Sequence, residues 1–393
     1  MARKDSQTHK QESLPEKVEA PLNIEATPFG SVLKSGELSS PNFRHSRSGW
    51  RVQSDGTAEF RNVSASGTFS IGGVTKTISS VTEIQSSLTD IYNAGGGTLY
   101  LASGTYTLTA DLSIPSGVAL VGTSRDGTII DCNSSYKVTM SGSDPYNTGT
   151  CSVNDGATTV TGLGTSWDST MAGQYIYLDG YWYVIDSITS TTELELVDAY
   201  AGSNLSGYAY TIATPNFNPT IGKLTIQNAT GVALEVHYAS EPNFNDIYVL
   251  DSGTGIDADY VYAPNASVSV FGCTTGANYN YVSAFKFDYV AFEQNTGVGV
   301  VMTNCTGSTF FDSSVSLNGG DGINLTDCTN IVFASMDVSL NGGQGIEMIS
   351  GNADLQFIGV TTDGNTSDGY KLTATTDRVS ISTCSIVNNG GYD

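Results

Sequence analysis

Two groups of side chains in this sequence could do chemistry on a ligand. The first is a set of carboxylates: Asp288 beside Phe287, Glu293 five residues on, and Asp312 24 residues after Asp288. Alternate residues of an extended chain face opposite ways, so burying Phe287 turns Asp288 outward. Outward carboxylates within reach of one another can cleave a glycosidic bond, one protonating the leaving oxygen while another activates water or attacks. A separation of roughly 5.5 Å favours retention, and one of up to about 9.5 Å inversion. Asp288, Glu293 and Asp312 are therefore candidate catalytic residues; the competing reading is solvated surface on an acidic chain. Asp321 and Asp368 precede glycines and read as turn formers. The second group is aromatic. Tyr260, Tyr262, Tyr279 and Tyr281 crowd near Asp257 and Asp259, and Trp182 stands between Tyr181 and Tyr183. Amphipathic rings beside carboxylates suit stacking on a sugar and bonding its hydroxyls. They suit equally the packing of a loop or a subunit interface, and Trp182 would also serve as the core of a small module.

Other chemistries are poorly supplied. The six Cys form no C-x-x-C pair and the chain has three His, so neither a metal nor any other cofactor is expected. Residues 1–61 hold 9 of the 16 Lys and Arg and 8 of the 39 Asp and Glu. The rest is strongly acidic and would repel nucleic acid and anionic membranes. After Arg61 the cations are Lys76, Arg125, Lys137, Lys223, Lys286, Lys371 and Arg378. So few leave little to neutralise a uronate during proton abstraction, which ranks hydrolysis above lyase chemistry. The first twenty residues lack the apolar run of a secretory signal, and no later stretch is long and apolar enough for a membrane span. Synthesis in a host cytoplasm is expected.

What must position these residues is a repeat. N-T-G-V-G-V-V-M from Asn295 recurs as N-G-G-D-G-I-N-L from Asn318, N-G-G-Q-G-I-E-M from Asn341 and N-T-S-D-G-Y-K-L from Asn365, and Asn388 opens a fifth copy. Such a period means one structural unit stacked on the next. Gly299, Gly322, Gly345 and Gly369 occupy equivalent places, where a left-handed turn is expected. Apolar alternation follows each: Val300 and Met302, Ile323 and Leu325, Ile346 and Met348, Tyr370 and Leu372 face inward. Phe287, Phe310, Phe333 and Phe357 should stack in one column at the strand spacing of ~4.8 Å. The Asn column should hydrogen-bond along the axis. Cys305 and Cys328 share a position and are expected as buried free thiols.

Single coils cannot bury their own apolar faces, so the ends need caps. Ser80 and Glu83 suggest a capping box, Val81, Ile84, Leu88 and Ile91 a helical stripe, and Gly95-Gly96-Gly97 its end. Five regions follow: a polar, flexible 1–25; a β-rich attachment head, 26–78; the capping helix and first coils, 79–137; an inserted small β-barrel or sandwich, 148–213; and coils of about 23 residues, 214–393. Hairpins at Asp155-Gly156 and Asp179-Gly180 mark the insert. After Asn388 the expected strand is missing, which reads as a truncated helix.

A-G-G-G-T-L-Y-L-A-S-G-T-Y-T-L at 94–108, followed by L-S-I-P-S-G-V-A-L-V-G-T-S-R-D-G-T-I-I at 112–130, resembles the start of pectate-lyase-like proteins. The resemblance covers roughly 79–393 with one interruption. It implies an all-β, right-handed, single-stranded parallel β-helix, a fold shared by lyases, hydrolases, tailspikes and silent fibres, so it implies no one reaction. G-W-R-V-Q-S-D-G-T-A-E-F-R-N-V at 49–63 resembles a segment of phage tail proteins, and the insert resembles modules of phage tail fibres. Together these imply a tail fibre or tailspike in the virion. It would join a tail or baseplate protein through the head, assemble as a homotrimer and bind host surface polysaccharide. A polysaccharide depolymerase or a non-binding structural fibre are the alternatives.

Overall fold

The computed structural model describes residues 23–27, 30–35, 37–39, 50–53, 58–60 and 74–391. The N-terminal unit, residues 1–69, contributes an antiparallel pair, Asn23–Thr27 with Gly30–Ser35, and a three-stranded antiparallel sheet, Glu37–Ser39, Trp50–Gln53 and Ala58–Phe60. Most of the segment expected to be flexible, 1–25, lies outside the described residues.

From Val74 the chain winds as a parallel β-helix with three sheets. Each coil of the regular part supplies one strand to each sheet: for example Lys286–Asp288 to sheet 1, Ala291–Glu293 to sheet 2 and Val300–Thr303 to sheet 3, continued on the next coil by Thr306–Phe311, Ser314–Ser316 and Ile323–Thr326. Registers run straight up the stack. Val300, Ile323, Ile346 and Tyr370 pair in one inward column, Met302, Leu325, Met348 and Leu372 in the next. All are buried except the last pair: Tyr370 is half-buried and Leu372 exposed. The phenylalanines align through Phe287, Phe310, Phe333 and Phe357. Phe310 to Phe333 and Phe333 to Phe357 stack face to face at 5.3 and 5.0 Å, whereas Phe287 meets Phe310 edge-on.

The buried Asn ladder forms with one change at its end. Asn295 Nδ2 donates to Asn318 Oδ1, Asn318 to Asn341, and Asn341 to Asn365, each at 2.9 Å. The next rung is Asn389, while Asn388 bonds to Asp363 instead. The glycines differ too. Gly299, Gly322 and Gly345 do not have positive φ; a Cβ there would sit 2.5–2.7 Å from the carbonyl of the glycine one coil on. Close approach of backbones, rather than turn conformation, excludes a side chain. The left-handed corner falls earlier, at Gln294, Leu317, Leu340 and Gly364. All six cysteines are free thiols, and Cys305 and Cys328 are fully buried.

A helix, Ile84–Asn93, covers the first coil with Ile84, Leu88 and Ile91 buried. The capping box is not made: Ser80 Oγ bonds to Thr82 Oγ1, and a 3₁₀ turn, Val81–Glu83, precedes the helix. Between Thr139 and Asn216 the chain leaves the coil and builds eight antiparallel strands, from Ser143–Tyr146 to Thr211–Thr214. This module has its own core around Trp167, Ile176, Leu178, Ile185 and Ile212, and Trp167 Nε1 donates to Tyr210 Oη at 2.7 Å. Leu178 pairs with Tyr181 across Asp179-Gly180, both at positive φ, the conformation of a two-residue hairpin matched to strand twist.

Candidate functional site

The polar constellation of the molecule lies on sheet 3, where the coils are least regular. Three strands, Val232–Ser240, Thr254–Tyr262 and Thr275–Ser283, stack in register with Val236, Ala258 and Tyr279 inward. The alternation then aims Glu235, Asp257 and Asn278 outward in one column and His237, Asp259 and Asn280 in the next. His237 Nε2 lies 2.9 Å from Asp257 Oδ2, and Asn278 Nδ2 donates to Asp257 Oδ1 at 2.7 Å. Asn280 Nδ2 donates to Asp259 Oδ1 at 2.9 Å. Lys137, from the previous coil, pairs with Glu235.

The two aspartates are electrostatically unlike. Burial pushes the Asp259 carboxyl up to about 6, against the smaller opposing pull of His237 and the Asn280 amide. Burial also raises Asp257, but the hydrogen bonds from His237 and Asn278, with the charges of His237 and Lys137, outweigh it and hold this carboxyl below its usual range. Burial alone would lower His237. Its bond to Asp257 and the charges of Glu235, Asp257 and Asp259 reverse that and keep the imidazolium favoured. Neighbouring acids whose environments split their affinities for protons are the pattern of an acid working beside an ionised carboxylate. Residues two apart on a strand are roughly 6.6 Å apart along it, close to the spacing at which an inverting pair admits water.

The inserted module closes one side of this face. Tyr238, Tyr260 and Tyr281 occupy successive left-handed corners and stack, at 5.9 and 4.5 Å between rings. Tyr177 from the module meets Tyr260 edge-on, and its hydroxyl donates to the Tyr281 carbonyl at 2.9 Å and bonds Ser283 Oγ at 3.0 Å. Trp182 Nε1 donates to the Ala239 carbonyl, and Tyr181 packs against Tyr262.

The expected site residues are accordingly dispersed. Tyr279 points into the core against Phe287, and Tyr260 is buried beneath Tyr177, so neither presents a face to a sugar. Tyr281, Tyr262 and Trp182 are half-buried where module meets helix. Trp182 is not the module's core tryptophan; Trp167 is. Asp288 lies exposed on sheet 1, Glu293 half-buried on sheet 2, and Asp312 at the corner one coil on, with no bond joining them. His237, Glu235 and Lys137 escaped sequence reasoning, although E-V-H at 235–237, D-A-D at 257–259 and N-Y-N at 278–280 carry the alternating signal. Among the described residues no group of His, Cys, Asp or Glu converges to hold a metal ion, and no helix is long and apolar enough to cross a membrane.

The family described as "Right handed beta helix region" matches residues 212–389. Comparison with curated protein sequences finds no match. In structure the chain is similar to the Geobacillus virus E2 ORF18 protein at 13% identity and a TM-score of 0.50, covering 80% of this chain and 61% of that one. It is also similar to the A-module of the Azotobacter vinelandii mannuronan C-5 epimerase AlgE4, at 12% identity, TM-score 0.41, and 81% and 95% coverage. A third is the gp54 tailspike of Acinetobacter baumannii bacteriophage AP22, solved in complex with capsular saccharide, at 12%, 0.29, and 77% and 70%. At these identities the likeness is one of fold, and the fold is a right-handed parallel β-helix.

Proposed function

We propose that the protein is a phage tail fibre or tailspike whose β-helix engages a bacterial surface glycan on the outward face of sheet 3, beside the inserted module. The observation that carries this reading is the Asp257–Asp259 pair: two carboxyls on one strand, half-buried, with their protonation pushed apart. Half-buried carboxylates, amides and an imidazole beside tyrosine rings supply the hydrogen bonds and flat apolar surface that a sugar chain uses. The tail-like segment at 49–63 supports attachment to a tail or baseplate protein in the virion, and with it a homotrimer.

The same pair favours a second reading, hydrolysis of the bound glycan. Asp259, raised to about 6, would protonate the leaving oxygen, and ionised Asp257, oriented by His237, would activate water. The discriminating experiment incubates the full chain, and its Asp257→Asn/Asp259→Asn variant, with an array of bacterial surface polysaccharides. Retention of at least one polysaccharide by the parent, weakened at least tenfold in the variant, supports engagement at sheet 3. New reducing ends, formed by the parent and not by the variant, support hydrolysis. Equal retention by parent and variant contradicts engagement at sheet 3, and an array that retains neither favours a structural fibre.

A further inference from the structure

A second surface feature lies at the one bend of the coil that does not border sheet 3, where sheet 1 turns into sheet 2. One residue per coil takes the left-handed conformation there: Tyr289 (φ 57°), Asp312 (46°), Ser335 (53°) and Gly359 (62°). The bend leaves an open groove of about 610 Å³ along the helix axis, lined by these four together with Asp337 and Thr361 among others. Four stacked corners span about 14 Å at the strand spacing.

Tyr289 is the anomaly of this groove. The later coils fill its position with Asp312, Ser335, Gly359 and Thr383, whereas Tyr289 sets a bulky ring on a left-handed backbone, as Tyr238, Tyr260 and Tyr281 do at corners where rings stack on one another. It is also 69% exposed, and among the described residues no other ring packs on it. Neither backbone nor core gains from a tyrosine at this point. Beyond it, the side chains of Asp312, Ser335, Asp337 and Thr361 have no hydrogen-bond partner within the described residues, while neighbouring Ser313 spends its hydroxyl on the Phe311 carbonyl. The groove thus offers a ring face at one end and unengaged acceptors and hydroxyls along its length.

The lining holds two carboxylates and no Lys, Arg or His. A uronate, phosphate or nucleic acid chain would bring like charge to an acidic wall with nothing to neutralise it. An apolar peptide would leave the serines, threonine and aspartates desolvated and unpaired. An uncharged sugar chain has what the groove lacks, hydroxyl donors for the carboxylates and an apolar ring face for Tyr289. We propose that this corner groove is a second glycan site, separate from sheet 3, that holds a short run of uncharged sugar units stacked at one end on Tyr289. The inference rests on the glycan-binding reading for the class of ligand and on the groove alone for the place.

The test uses the full chain on an array carrying both uncharged and uronic-acid bacterial polysaccharides. Its variants are Tyr289→Asn, which keeps a residue that tolerates the left-handed corner, Asp337→Ala and the sheet 3 double variant. The expected result is retention by uncharged polysaccharides that falls at least fivefold in both Tyr289→Asn and Asp337→Ala. Light scattering should report the parent's oligomeric state in both. Binding lost only in the sheet 3 variant would overturn the groove and leave the first reading standing. Binding lost only in the groove variants would do the reverse. Preference for uronic-acid chains, no retention of any uncharged polysaccharide, or a changed oligomeric state in Tyr289→Asn would each overturn the groove as a glycan site, the last by showing that a second copy of the chain occupies it.

Discussion

The coils from Val232 to Ser283 and those from Val300 to Leu372 share one winding but spend their side chains differently. The later coils repeat. The same position holds Phe on sheet 1, Asn at the turn and an apolar pair on sheet 3, so most side chains meet their own kind one coil away. Like on like suits stacked rings and amides, whose self-contacts are favourable. It does not suit carboxylates, which repel when stacked. The earlier coils break the repetition. Glu235 stacks on Asp257 only with Lys137 and His237 beside them as counter-charges, Asn278 follows, His237 is followed by Asp259 and then Asn280, and tyrosines replace simple corner residues to receive the inserted module. Regularity here marks the repeated core, and departure from it marks the face proposed to engage glycan.

The largest expected effect tests the stable half. Phe333 is fully buried between Phe310 and Phe357, so Phe333→Ala should destabilise the folded chain by about 3–5 kcal/mol through the lost burial and the cavity left behind. Urea unfolding followed by circular dichroism would read this as a lower midpoint; an unchanged midpoint would mean that the ring column carries little of the core. A smaller effect sharpens the boundary between halves. Tyr177→Phe removes the hydroxyl that bonds the Tyr281 carbonyl and Ser283, worth about 1–2 kcal/mol. The loss should appear as faster hydrogen exchange where module meets helix, with little change in 300–372.

The smallest effect concerns the polar cluster, and its sign is opposite. The Asp259 carboxyl holds its proton more tightly in the folded chain, about 6 against an ordinary 3.8. Its contribution is therefore present at acidic pH and lost as pH rises from about 4 through 6, because ionisation is disfavoured only in the folded state. Asp259→Asn removes that penalty. Thermal unfolding should show the variant matching its parent near pH 4 and melting roughly a few degrees higher at pH 7.5. The His237–Asp257 pair runs differently. Lowered Asp257 supports the fold above the ordinary carboxylate range, and raised His237 supports it below about 6.5, fading as pH climbs through its folded value. A His237→Ala variant should thus lose most stability between about pH 4 and 6.5, where both partners are charged.

The contrast also explains what the sequence disclosed. The coil period, the inward Phe column and most of the Asn ladder were legible because repetition amplifies weak local signals. Asn389 rather than Asn388 makes the last rung because the step stays at 24 residues, as from Asn341 to Asn365, instead of returning to 23. The glycines were identified correctly as special, but the reason, contact with the next coil's carbonyl, exists only after stacking. Site residues were least legible. Tyr260 and Tyr279 look like exposed sugar platforms until the module's Tyr177 and the core's Phe287 are set against them. His237 meets Asp257 across coils 20 residues apart, outside the 23-residue rhythm that made the rest readable.

Hydrogen–deuterium exchange of the full chain, with and without a saturating bacterial polysaccharide that it retains, tests most directly whether the irregular coils are where glycan is engaged. The account predicts slowed exchange in Val232–Ser240, Thr254–Tyr262 and Thr275–Ser283. Unchanged exchange in all three strands under saturation would contradict it.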